Sequence, residues 1–144
     1  MAYEITGPYL NAALLCEKVL SEADGVLTAV RVIDRFIVSG PNPEMSPATL
    51  PLFLLIMLKS GQFRGPSVIK FYVETPSAQR LPTLEFQVNF EGDDDRGVNV
   101  VANISFQAHE TGVYWFTLLY QDQPLTRIPL RVLYQRTAFA QPGR

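Results

Sequence analysis

The sequence predicts an all-β fold: a two-sheet antiparallel sandwich, immunoglobulin-like or jelly-roll-like, of about eight strands. Three observations predict it. From Gly25 onward, segments of β-type composition recur at short intervals between Gly, Pro, Asp and Ser clusters, the punctuation of a sandwich or barrel. In Leu84–Phe90 and Val98–Phe106 apolar and polar residues alternate, which gives each strand one buried and one wet face. Leu52–Leu58 and Val113–Tyr120 instead carry bulky apolar groups at both parities, as central strands do, or strands with one face against another molecule.

Taken in order, Asn11 to Glu22 holds good helix formers and a possible Asn11 cap, yet it runs into Asp24-Gly25, a favoured hairpin turn. Periodicity leaves both readings open; we read a strand paired with Val26 to Ile37. Val26 to Val38 is a long strand with an irregularity at Asp34-Arg35, where two charges interrupt the apolar pattern. Gly40 to Thr49, with Pro41, Pro43 and Pro47, crosses irregularly between sheets. Pro66 to Val73 follows a Gly-Pro break as another strand. Leu84–Phe90 and Val98–Phe106 are expected to form a hairpin, and Leu125 to Tyr134 closes the set. Pro129 places that last strand at an edge or at a non-bonding position. The whole chain, 1–144, reads as one domain with mobile ends at about 1–8 and 137–144.

The totals bound the function. A chain of 144 residues, 47% hydrophobic and 18% charged, with a mean hydropathy of +0.08, can bury a core without metal or disulfide staples. A net charge of −2 and a pI near 5.3 give no general attraction to phosphate backbones, so nucleic acid is not expected as a partner. Cys16 is the single cysteine; no intrachain disulfide can form, which fits a reducing cytoplasm. Met1 to Gly7 lacks the basic and apolar regions of a signal peptide. The longest apolar run, Leu50 to Leu58, is interrupted by Pro51 and is about half of the ~20 residues a spanning helix needs. A cytoplasmic protein without a membrane span is expected.

Ala13-Leu14-Leu15-Cys16-Glu17, Leu50-Pro51-Leu52, and Gly112-Val113-Tyr114-Trp115-Phe116 followed by Ile128-Pro129-Leu130-Arg131-Val132 resemble a family of short, uncharacterised bacterial proteins over residues 12 to 134. The resemblance implies a small β-sandwich and a bacterial or phage source, and supplies no catalytic residue. Gly112-Val113-Tyr114 is also similar to the Gly-x-Tyr strand opening of immunoglobulin-like domains, in which the Tyr hydroxyl ties a corner back to the main chain.

Each candidate for chemistry has a plainer alternative. His109, the single histidine, reads as a turn residue rather than a general base, which would need a nucleophile and an orienting group beside it. Cys16 could be a nucleophile activated by His109, but among Leu14, Leu15 and Val19 a buried, inert thiol fits better. Asp93, Asp94 and Asp95 are the weak metal candidates; no second acidic loop completes a calcium site, and a solvated turn is the simpler reading. Tyr114, Trp115, Phe116 and Tyr120 form an aromatic set whose members of one parity fill the core while the others can anchor a partner. Arg127 and Arg131 share one face and could meet an acidic ligand or protect an edge. Gly61-Gln62-Phe63-Arg64-Gly65 lacks the Lys-Ser/Thr of a phosphate loop, no zinc or dinucleotide pattern is present, and no cofactor is implied. The sequence therefore points to a non-catalytic, self-associating protein-interaction or structural module. A binder of a small anionic metabolite or nucleotide is the alternative, and a cysteine hydrolase the third reading.

Overall fold

The computed structural model describes residues 6–137, and all regular structure in that span is strand. Eleven strands appear: β1 (Tyr9–Ser21), β2 (Leu27–Val32), β3 (Arg35–Gly40), β4 (Ala48–Leu50), β5 (Phe53–Lys59), β6 (Gly65–Glu74), β7 (Leu84–Phe90), β8 (Gly97–Asn103), β9 (Phe106–Ala108), β10 (Gly112–Tyr120) and β11 (Gln123–Arg136). They form a four-stranded sheet in the order β2-β1-β5-β8, a five-stranded sheet β3-β11-β10-β6-β7, and a two-stranded ribbon β4-β9. The excess over eight has local causes. Arg31 takes a left-handed backbone, φ 56°, near the end of β2, and the chain leaves the four-stranded sheet to re-enter the five-stranded one as β3. Pro51 separates β4 from β5. After β8 the Asn103 side chain accepts the Ser105 N–H at 3.2 Å, a local bond that competes with a ladder.

The Asn11–Glu22 segment is a strand, paired with β2 across the Asp24-Gly25 turn. Gly25 has φ 85°, and Asp24 Oδ1 accepts the Val26 N–H at 3.1 Å. The expected hairpin between Leu84–Phe90 and Val98–Phe106 does not form. β7 pairs with β6 and β8 with β5, so the acidic loop between them crosses from one sheet to the other. Alternation gave each strand its buried face, but it does not name the neighbour. Gly97 helps to fix β8 against β5: an added Cβ would lie 1.8 Å from the Leu58 carbonyl oxygen.

β5 and β10 occupy interior positions in their sheets, as their two-sided apolar composition requires. β11 is also interior, between β10 and β3, and its pairing with β3 is parallel. Pro129 precedes the first β3 pair, Arg131 opposite Arg35, so its missing N–H interrupts no bond to β3. One core cluster draws from all three sheets: Leu15, Leu54 and Ile56 from the first, Ile69, Phe71, Phe116 and Leu130 from the second, Leu50 and Ala108 from the ribbon. Phe106 of β9 meets Tyr114 and Phe116 of β10 with ring centroids 5.3 and 5.7 Å apart. Each such large side chain taken from water contributes about 1.5–3 kcal/mol. The expected mobile ends fall mostly outside the described residues. Thr137, which is described, donates its N–H to Gly40 at 2.7 Å.

Candidate interaction surface

Strand parity sorts the aromatic set. On β10, Tyr114, Phe116 and Leu118 point inward and are buried, so Tyr114 and Phe116, candidates for a partner surface, are beyond a partner's reach. Tyr120 is half-buried and packs against the core cluster. Trp115 lies on the opposite parity and is half-buried on the outer face. Tyr114 has a distinct role: its hydroxyl donates to the Glu110 carbonyl at 2.8 Å, the corner tie that the Gly-x-Tyr resemblance implied.

The outer face of the five-stranded sheet gathers arginines over aromatic rings. Trp115 stands opposite Pro129, and Thr117 opposite Arg127, so Arg127 reaches diagonally back over the indole. Its guanidinium carbon is 4.3 Å from the ring centroid. One strand further, Tyr72 of β6 faces Thr117 and carries Arg80 above its ring at 3.8 Å. Such stacks hold a cation in place without neutralising it. Arg131 and Arg35 extend the face as an opposed pair. Arg35 lies 3.8 Å from Asp34, while Arg80, Arg127 and Arg131 have no ion pair among the described residues. Beneath the two stacks Thr117 is only 2% exposed, and its hydroxyl has no hydrogen-bond partner among the described residues.

Neither Tyr72 nor Arg80 could be singled out beforehand. Tyr72 is one aromatic in an alternating strand, and Arg80 sits in a loop brought back over β6 by the Ser77–Gln79 turn, where Thr75 accepts the Ala78 N–H at 2.9 Å. Only the fold puts it over the ring.

The other candidates lie elsewhere and do not converge. Cys16 is buried in β1; burial pushes its thiol pKa up, opposed by a backbone hydrogen bond at Lys18. That is the reverse of what a thiolate nucleophile needs. His109 is exposed in the turn before β10, at the rim of a cavity of about 380 Å³ lined also by Ser77, Gln107, Glu110 and Tyr114. There the Glu110 carboxylate accepts the Ser77 hydroxyl at 2.8 Å and the Ser77 N–H at 3.0 Å. These two bonds are the leading causes that hold the Glu110 carboxyl below its ordinary range. Asp94 is taken up by Arg64 at 2.6 Å, and the Asp93 carbonyl accepts the Arg96 N–H at 3.0 Å. No cluster of three metal-ligating side chains occurs among the described residues. No helix in the described span is long and apolar enough to cross a membrane.

Comparison of the sequence with protein-family models and with curated proteins finds no match.

Proposed function

We propose that this chain is a non-catalytic protein-interaction module of the β-sandwich type, which receives an acidic protein segment on the outer face of its five-stranded sheet. The observation that carries this reading is the pair of arginine–aromatic stacks, Arg127 over Trp115 and Arg80 over Tyr72. Trp, Tyr and Arg are the residues that most often anchor interfaces. Stacked arginines keep their N–H edges free for bidentate bonds to carboxylates. Arg35, Arg80, Arg127 and Arg131 gather on this face, which also carries Glu74 opposite Trp115, although the chain as a whole is negative at −2, so positive charge here is concentrated locally.

Trp115 is the single tryptophan and therefore reports on its own site. Titration with a glutamate-rich peptide should change its fluorescence saturably. Arg127→Ala combined with Arg131→Ala should weaken that binding tenfold or more, and added salt should weaken it further. Binding that is indifferent to both arginines, or absent from the wild-type protein, removes the proposal. Saturation by inorganic phosphate with no response to the peptide would favour a small anionic ligand instead.

A further inference from the structure

We infer that two copies of this chain pair along β7, antiparallel and centred on Gln87, so that their five-stranded sheets join across a two-fold axis. The inference does not rest on the arginine face. β7 is the outermost strand of its sheet, bonded to β6 on one side; among the described residues, none of the backbone hydrogen bonds outside the strand ladders reaches its other side. β8 lies across an open groove of about 640 Å³, with Phe86 and Val88 on one wall and Val98 and Val100 on the other, and does not cover that edge.

Exposed edges are ordinarily protected by Pro, charged side chains (Lys above all), bulges or short strands. Two of the other sheet edges show such features: β2 carries left-handed Arg31, and β3 opens on Arg35. β7 is Leu-Glu-Phe-Gln-Val-Asn-Phe, without Pro, Lys or a bulge, and its register with β6 runs unbroken for seven pairs. Its one charge is Glu85.

The sequence of β7 also selects the register. A slip by one residue would turn apolar side chains to the wet face. Among the remaining choices, a centre at Val88 sets Glu85 opposite Glu91 of the second copy, which like charges disfavour. A centre at Phe86 brings Pro82, which cannot donate, against Phe90. A centre at Gln87 sets Glu85 against Asn89, Phe86 against Val88 and Leu84 against Phe90, with the two Gln87 amides facing each other. It uses the whole strand, opposes no like charges, and covers Leu84, which is 46% exposed in one copy.

The arrangement is tested with Gln87, an exposed side chain whose replacement leaves the core alone. Sedimentation of the wild-type chain should give twice the 16.1 kDa chain mass. Gln87→Lys and Gln87→Glu should each raise the dimer dissociation constant about tenfold or more, since each sets like charges opposite. An equimolar mixture of the two should restore a dimer containing one of each, with unchanged circular dichroism throughout. A monomeric wild-type chain overturns the inference. So does a dimer that survives both substitutions, or variants that weaken it alone and fail to rescue one another.

Discussion

The Tyr114 hydroxyl donates to the carbonyl of Glu110 at 2.8 Å, four residues earlier in the chain. The bond fixes the corner through which the chain enters β10, and it satisfies a hydroxyl otherwise buried beside Phe106. Tyr114→Phe should therefore cost about 1–2 kcal/mol, because the carbonyl loses its partner while the ring still fills the core. Urea unfolding of both proteins gives the difference directly.

The same hydroxyl sets an alkaline signature. Burial, the leading cause, raises the Tyr114 pKa above the ordinary tyrosine value. Its contribution to stability is then complete below the unfolded value of about 10 and is lost as pH rises through the higher folded value. Melting temperature should fall more steeply between those two values in the wild-type chain than in Tyr114→Phe; equal slopes would mean the hydroxyl is not held as described.

Glu110 gives the opposite sign. Its carboxyl is held low by the Ser77 hydroxyl and N–H, so its contribution is present above the ordinary carboxylate value of about 4.3 and fades as pH falls through the depressed one. Ser77→Ala should move the Glu110 carboxyl-carbon titration upward by nuclear magnetic resonance. The stability advantage of wild type over this variant should narrow in acid. An unmoved titration would show that the Ser77 hydroxyl does not hold Glu110.

Thr117 leads to a substitution that should not harm the fold. Its Oγ1 is buried without a partner among the described residues, and an unpaired buried hydroxyl costs free energy that an isosteric methyl does not. Thr117→Val should be neutral or stabilising by about 1 kcal/mol in the denaturant midpoint. A clear loss would mean that the hydroxyl is bonded in solution.

How much of this could be read from the residues depends on whether the cause is local. The turn at Asp24-Gly25 and the interior positions of β5 and β10 each follow from a few adjacent side chains, and each is found; the irregularity expected within a single strand at Asp34-Arg35 is instead a full break between two sheets, and the Tyr114 corner, implied by the resemblance to immunoglobulin-like domains, is present. Pairing partners are not local. Leu84–Phe90 and Val98–Phe106 alternate equally well whether they bond to each other or to β6 and β5, and the structure takes the second course. The same holds for the surface. Trp115 and Arg127 could be marked from strand parity, whereas Tyr72 and Arg80 join them only through the β10–β6 ladder and a returning loop. Edge exposure at β7 was likewise invisible until its sheet was known.

The parallel bond between β3 and β11 sets Arg35 against Arg131, residues far apart in the sequence. Closing so long a loop costs entropy before any contact repays it. On a ribosome, β3 would emerge and wait, its β11 side unpaired, until β4 to β11 had been made. The five-stranded sheet can be completed only once β11 has been made, so its closure should be slow and should follow synthesis of every strand between the two. During that delay a newly made chain presents more open strand edge than the finished protein does.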